Sequence, residues 1–93
     1  MIRSFRDKRA AAIIAGIAVK NFPTQIAAQA RRKLHMLDFA TMLADLQSPP
    51  GNRLEQLTGD RAGQHSIRIN GQWRVCFVWR DDGPHEVEIV DYH

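Results

Sequence analysis

The spacing of apolar residues changes once along this chain, and that change limits the folds available to it. Up to residue 47 the apolar residues recur at helical intervals, whereas from His65 they alternate with polar residues. The segment Ser48 to Asn52 separates the two halves, because neither of its prolines can continue a helix. The pattern predicts one α+β domain over residues 1–93, with two helices packed on one face of a small, largely antiparallel sheet and the other face partly open.

The first half predicts a short strand and two helices. Met1 to Phe5 has the character of a short strand. Asp7 is placed to cap a helix that extends to about Ile17, and Thr24 is placed to cap a second helix that extends to about Leu46.

The second half predicts a loop followed by strands. Residues 48 to 63 form the loop, with Leu54 and Leu57 as its anchors in the core. A hairpin follows, and Glu86 to Val90 is the last strand. The chain then stops at Asp91-Tyr92-His93.

The register of the hairpin can be inferred from the sequence. If Asn70-Gly71 alone closed the turn, apolar Ile67 would face polar Arg74 and the hairpin would bury the wrong residues. Adding Gln72 to the loop pairs Ile67 with Val75 on the core face. We therefore predict a three-residue loop.

This register sets two arginines against each other. Arg68 lies directly opposite Arg74, and like charges in such a pair destabilise a sheet unless an anion or a carboxylate lies between them. An RNA phosphate could fill that place. Alternatively, the two arginines point into water or pair with Glu86, Glu88 or Asp60.

The charge of the chain is compatible with a polyanionic partner. The net charge is +3, with eight Lys or Arg against three Asp in residues 1–46 and five Arg against seven acids in residues 47–93. The second half contains no lysine. Because arginine binds phosphate in a bidentate way and stays charged when partly desolvated, an arginine-only set suits a phosphate-binding face.

Other function classes are disfavoured. Cys76 is a lone cysteine, so it predicts neither an internal disulfide nor a structural zinc site, and it is expected to pack in the core. His65 and His85 are expected at the surface, and no metal or cofactor is predicted. The nearly apolar run Ala10 to Val19 is too short to span a bilayer, and no signal-type stretch follows Met1. We expect a cytoplasmic protein.

Several segments resemble the HigB branch of the RelE/ParE toxin superfamily. They span the chain and comprise Met1 to Phe5, Leu57 to Gly63, Ser66 to Asn70, Trp73 to Phe77 and Asp91 to His93. The resemblance implies a RelE-like, microbial-ribonuclease-type fold, cleavage of translated messenger RNA in the ribosomal A site, and neutralisation by a HigA-type antitoxin with a helix-turn-helix. Family members often have histidine and lysine where this chain has Glu55 and Thr58.

Candidate acid-base groups are present for such a reaction. Metal-independent RNA cleavage needs a base for the ribose 2′-OH and an acid for the leaving 5′-oxygen. Glu55 or Asp91 is the candidate base, and His93 is the candidate acid because histidine donates a proton near neutral pH. Alternatively, Glu55 is an exposed loop acid, Asp91 only positions Arg74, and His93 is a frayed terminus.

Candidate phosphate-binding groups are also present. Arg74 is expected to stabilise the transition state at the scissile phosphate, with Arg61, Arg68 and Arg53 as further RNA-binding residues. Tyr92 is expected to stack on a base or to hydrogen-bond the phosphate, unless it is an aromatic residue at the edge of the core.

The basic segment of the second helix has two interpretations. Arg31, Arg32 and Lys33 form either a solvated helix face or a contact with ribosomal RNA.

We therefore expect a ribosome-dependent messenger RNA endonuclease that inhibits translation. The alternative is a non-catalytic toxin of the same fold that acts by binding the ribosome or DNA gyrase. The expected partners are the antitoxin, the ribosome and messenger RNA, with operator DNA reached only through the antitoxin.

Overall fold

The computed structural model describes residues 1–91, which form two helices and a four-stranded antiparallel sheet whose strands lie side by side in chain order. The elements, in chain order, are α1 (Lys8–Ile14), α2 (Thr24–Phe39), β1 (Glu55–Gln56), β2 (His65–Arg68), β3 (Trp73–Arg80) and β4 (Gly83–Asp91). Three 3-10 turns lie at Leu43–Gln47, Pro50–Asn52 and Gly59–Arg61. The helices pack on one face of the sheet, which confirms the predicted α+β architecture.

Helix α1 begins as predicted but ends early. The Asp7 carboxylate accepts a hydrogen bond from the backbone N–H of Arg9 at 2.8 Å, so Asp7 is the N-cap. The helix ends at Ile14 rather than at Ile17, because Gly16 adopts a left-handed conformation with a φ of 80°.

Helix α2 differs from the prediction at both ends. Thr24 is its first helical residue and Pro23 is the N-cap, so the prediction of a Thr24 cap was wrong. The helix ends at Phe39 rather than near Leu46. The reason is Asp45, whose carboxylate accepts hydrogen bonds from the backbone N–H groups of Thr41 (3.0 Å) and Met42 (3.2 Å) and so starts a separate 3-10 turn.

Residues 48 to 63 are more ordered than a plain loop. They contain two 3-10 turns and strand β1, in which Glu55 pairs with Ser66 of β2. Leu57 is buried and Leu54 is partly buried against the core, so the two predicted anchors are confirmed.

The hairpin of β2 and β3 has the predicted register. Ile67 pairs with Val75, and Arg68 pairs with Arg74. The Asn70 side chain accepts hydrogen bonds from the backbone N–H groups of Gln72 (2.8 Å) and Trp73 (2.9 Å), which closes the three-residue loop. Ile67, Val75 and Phe77 are fully buried on the core face.

The N-terminal segment does not form the predicted strand. It contacts β4 through one parallel bridge, between Phe5 and Val87. The edge of β4 is bent here, because Glu86 has a φ of 51° and the β3–β4 register shifts between Cys76 and Val78. Strand β4 itself is longer than predicted, because it begins at Gly83.

Candidate active site

The sheet face that the helices leave uncovered carries the polar residues of the strands. We call it the open face. Strand register places these side chains in two adjacent rows, one of Glu55, Ser66, Cys76 and Glu88 and the other of Arg68, Arg74 and Val90. Three of the residues that the sequence singled out for chemistry, Glu55, Arg68 and Arg74, therefore converge on one surface.

Arg74 is the most buried of the described arginines on the open face. Only 7% of its surface is exposed to solvent, which is unusual for an arginine. One guanidinium nitrogen, Nη2, donates to the backbone carbonyl of Arg53 at 2.8 Å. The other, Nη1, lies 3.5 Å from a carboxylate oxygen of Glu55. Among the described residues, the guanidinium is thus held by one neutral acceptor and one carboxylate.

Glu55 is the acid beside this arginine. It begins β1, and 49% of its side chain is exposed to solvent. A carboxylate that is accessible and adjacent to a fixed guanidinium has the position that a general base needs near a bound phosphate. The structure thus brings Glu55 and Arg74 together, as the sequence predicted for two parts of one site.

Arg68 lies directly opposite Arg74 in the ladder, as predicted. Within residues 1–91, no carboxylate lies within 4 Å of the Arg68 guanidinium. The acids proposed as alternative partners lie elsewhere, with Glu88 against Arg61 and Glu86 against Arg80. The open face therefore carries one cation with no carboxylate partner in the described part of the chain.

A second cluster on the open face was missed by sequence reasoning. The carboxylate of Glu88 lies 3.2 Å from Arg61 Nη2 and 3.4 Å from Arg6 Nε, so it bridges two arginines. Arg61 also donates to Gln64 Oε1 at 3.1 Å. Together with Asp60 these residues line a polar cavity of about 310 Å³. The signal for Glu88 was its register, because it pairs with Cys76 on the open face.

Cys76 lies beneath this cluster and is fully buried. Burial is the main cause that raises the pKa of its thiol, with nearby Glu88 raising it further and nearby Arg61 and Arg74 lowering it. The thiol is therefore a packing group, as predicted.

Neither predicted surface histidine lies in a metal-binding cluster of the described residues. The His65 ring stacks on Phe77, and His85 Nε2 lies 2.6 Å from a carboxylate oxygen of Asp82. The hydrogen bond from His85 lowers the pKa of Asp82.

The terminal tripeptide is only partly described. Asp91 ends β4 opposite Trp73, and its carboxylate accepts a hydrogen bond from Gln72 Nε2 at 3.2 Å. Strand alternation directs Asp91 to the face opposite that of Val90 and Arg74. Tyr92 and His93 lie outside the described residues, so their predicted roles stay predictions.

The basic residues of α2 lie in the helix layer and not on the open face. Arg31 and Arg32 are exposed, and the Arg31 guanidinium lies against Gly16. Lys33 is partly buried, and its Nζ donates to Asn52 Oδ1 at 2.6 Å. Burial, followed by the charge of Arg32, lowers the pKa of Lys33. The structure therefore separates these three residues from Arg74.

Comparison with protein families agrees with this arrangement. A family model described as the RelE-like toxin of the type II toxin-antitoxin system HigB matches residues 3–93. The chain belongs to this HigB-like toxin family. The match confirms the family predicted from the segments between Met1 and His93.

Two curated proteins are similar to this HigB-like chain. Toxin HigB-1 of Vibrio cholerae is 48% identical over 59 residues, which cover 63% of this chain and 62% of that toxin. The aligned part thus spans less than two thirds of the Vibrio toxin. Endoribonuclease HigB of Proteus vulgaris is 28% identical over 93 residues, and this alignment covers 100% of each chain. Its name agrees with the endoribonuclease expected from the sequence.

Membership in a type II toxin-antitoxin family implies an antitoxin as a binding partner. None of the helices within residues 1–91 has the length and apolar character needed to cross a bilayer.

Proposed function

We propose that this HigB-like chain is a ribosome-dependent endoribonuclease that cleaves messenger RNA in the A site and so inhibits translation. The observation that carries the proposal is Arg74, a buried guanidinium fixed by the Arg53 carbonyl beside the accessible carboxylate of Glu55. A fixed cation next to a candidate base supplies two of the groups that metal-independent RNA cleavage uses, and the third is an acid for the leaving oxygen.

In the proposed reaction the ribose 2′-oxygen attacks the adjacent phosphorus. Glu55 takes the proton of the 2′-OH, Arg74 stabilises the charge that develops on the phosphoryl oxygens, and the bond from phosphorus to the 5′-oxygen breaks. His93 donates a proton to that leaving oxygen. One such preorganised cation is typically worth about 3 kcal/mol in the barrier. The products are a 2′,3′-cyclic phosphate and a 5′-hydroxyl.

Asp91 and Tyr92 have supporting roles in this proposal. The hydrogen bond from Gln72 to Asp91 fixes the end of β4 next to the hairpin loop. Asp91 would then position the terminal residues. It is the less favoured candidate for the base, because strand alternation directs it away from the face of Arg74. Tyr92 would stack on a base next to the scissile phosphate.

RNA binding is assigned first to arginines without a carboxylate partner. Arg68 and Arg53 have no carboxylate within 4 Å in residues 1–91, so their charges are available to RNA phosphates. Arg61 has second place because Glu88 already compensates its charge. Exposed Arg31 and Arg32 would contact ribosomal RNA, whereas Lys33, whose Nζ is bound to Asn52, would act on RNA only through its charge.

The ribosome would order the messenger RNA and supply groups that so small a site lacks. A HigA-type helix-turn-helix antitoxin would cover part of the toxin, and operator DNA would be contacted only through that antitoxin. Action on translating ribosomes places the protein in the cytoplasm.

The test is mapping of messenger RNA 5′ ends in translating extracts. Wild-type protein is compared with Arg74→Ala and with the control Arg80→Ala, which removes an exposed arginine 4.0 Å from Glu86. We expect ribosome-phased cuts with wild type and the control but not with Arg74→Ala. Arrested translation with intact messages would instead support the non-catalytic alternative in which the chain inhibits by binding the ribosome. Continued translation with intact messages would leave the alternative in which it binds DNA gyrase.

A further inference from the structure

Asn52 is fully buried although it lies in the surface segment that precedes the active-site residues. Buried polar side chains need hydrogen-bond partners, and Asn52 has them on both sides of its amide. Its Oδ1 accepts from Lys33 Nζ at 2.6 Å, and its Nδ2 donates to the carbonyls of Leu46 (3.2 Å) and Ser48 (3.3 Å). The side chain therefore ties helix α2, the preceding 3-10 turn and its own loop together.

The residues that hold Arg74 follow directly after this anchor. Arg53 has a left-handed backbone with a φ of 45°, which is rare outside glycine and persists only where the surroundings impose it. In this conformation the Arg53 carbonyl accepts from Arg74 Nη2 at 2.8 Å. Glu55, a second described contact of Arg74, is two residues further along. Both contacts thus depend on where the chain leaves Asn52.

We propose that Asn52 is a positioning residue for Arg74, and that Lys33 anchors it to helix α2. Lys33 then serves the active site from the helix layer rather than by touching RNA. The part of this inference that concerns cleavage rests on the proposed function, whereas the part that concerns the geometry of Arg74 does not.

The amide group is specifically required. It supplies one acceptor for Lys33 and two N–H donors for two carbonyls, a combination that among small side chains only asparagine offers. Aspartate keeps the acceptor for Lys33 but has no N–H groups for the two carbonyls. Alanine removes all three hydrogen bonds, those with Lys33, Leu46 and Ser48.

The experiment measures the geometry of Arg74 directly. Proton exchange of the arginine guanidinium groups with water is followed by NMR in the full chain, and the Arg74 signals are assigned by their loss in Arg74→Lys. In wild type the Nη2 protons of Arg74 should exchange slowly because they are buried and hydrogen-bonded. In Asn52→Ala we expect their exchange to speed up roughly 10-fold.

Cleavage of messenger RNA is measured with the same proteins. We expect Asn52→Ala to slow single-turnover cleavage on ribosomes by about 10- to 100-fold, with little change in the affinity for ribosomes. The matched control is Ile13→Val, which alters a buried residue of α1 that is 3% exposed. It should lower stability without changing the Arg74 signals.

One further variant keeps the proposal open to refutation. If Asn52→Ala does not fold, Lys33→Met removes one hydrogen bond and keeps the amide, and it should speed Arg74 exchange a few-fold. Unchanged Arg74 exchange in the folded variant overturns the proposal. If wild type cuts no message, the proposed function fails, and the NMR exchange still decides whether Asn52 positions Arg74.

Discussion

Two arginines of the open face, Arg74 and Arg61, were both predicted to bind phosphate, yet their surroundings differ. Arg74 is held by the neutral carbonyl of Arg53 at 2.8 Å, with the Glu55 carboxylate at 3.5 Å. Arg61 is held by the charged carboxylate of Glu88 at 3.2 Å, which also contacts Arg6. The Arg74 side chain is 8% exposed and the Arg61 side chain 37%.

The comparison distinguishes Arg74, whose direction is fixed by a neutral carbonyl, from Arg61, whose charge is compensated by a carboxylate. A carbonyl fixes the direction of a guanidinium without cancelling its charge. The carboxylate beside Arg74 is that of Glu55, the proposed base, which becomes neutral when it takes the proton of the 2′-OH. Arg61 must first release the Glu88 carboxylate before it can bind a phosphate. We infer that Arg74 serves the reaction and that Arg61 mainly holds the N-terminal segment and the Gly59–Arg61 turn on the sheet.

The largest effect expected from this comparison is that of Arg74→Ala. Loss of one preorganised cation should slow single-turnover cleavage on programmed ribosomes by about 10²- to 10³-fold. Arg61→Ala should slow it only a few-fold, because Glu88 already occupies that guanidinium. Arg74→Lys should be intermediate, since it keeps the charge but not the planar fork. Equal losses in the two alanine variants would contradict the distinction.

The next effect concerns the acid beside Arg74. Glu55→Gln removes the candidate base while keeping the size of the side chain, and it should slow cleavage by about 10²-fold. Glu55→His introduces the residue that family members often have and should keep activity. If residue 55 is the base, histidine moves the acidic limb of the pH–rate profile upward, toward the ordinary imidazole pKa of about 6.5. A limb that does not move would assign the base to another residue.

The fold was predictable where the local sequence pattern and the burial of apolar residues favour the same structure. The hairpin register was predictable because alternating apolar residues and the Asn70 side chain favour the same three-residue loop. The end of α2 was not, because apolar spacing continues past Phe39 while the Asp45 carboxylate binds backbone N–H groups and starts a new turn. Strand β1 has only two residues and so has no detectable period.

The site was predictable for residues whose position the register fixes. Arg68 and Arg74 lie where the hairpin puts them, and Glu55 reaches the same face through a strand that the sequence did not reveal. The Arg61–Glu88 contact was missed because it joins residues 27 positions apart and depends on how far a long side chain extends over the sheet. The left-handed Arg53 also has no sequence signal, because its conformation depends on the loop around it.

A smaller effect is expected at the neutralised arginine. Glu88→Gln leaves Arg61 and Arg6 without their shared charge partner. The Glu88 side chain is 15% exposed but those of its partners are 37% and 58% exposed, so solvent screens the network. We expect the free energy of unfolding in urea to fall by about 1–2 kcal/mol, between the values for exposed and buried pairs, with cleavage changed less than about 3-fold.

The matched control for Glu88 is Glu86→Gln. That carboxylate is half exposed and lies 4.0 Å from Arg80. Its loss should change the free energy of unfolding by no more than about 0.5 kcal/mol. If both variants had the same stability, the Glu88 bridge would not hold the N-terminal segment and the Gly59–Arg61 turn on the sheet.

The smallest effect is a change in the reactivity of Cys76, which reports whether Arg61 and Glu88 cover the open face. Burial, the main cause, raises the thiol pKa, so the folded protein should react slowly with an alkylating reagent. Glu88→Gln weakens the Arg61–Glu88 contact that covers Cys76, and it also removes a charge that raises the pKa of the thiol. Both effects increase the fraction of Cys76 that is accessible and ionised. At fixed pH we expect labelling to speed up roughly 5-fold for each kcal/mol by which local opening becomes easier. Arg61→Gln also loosens the cover but removes a cation that lowers the pKa, so its increase should be smaller. Unchanged labelling in both variants would mean that the strands alone bury Cys76. Arg61 would then have no structural role on this face to contrast with the proposed catalytic role of Arg74.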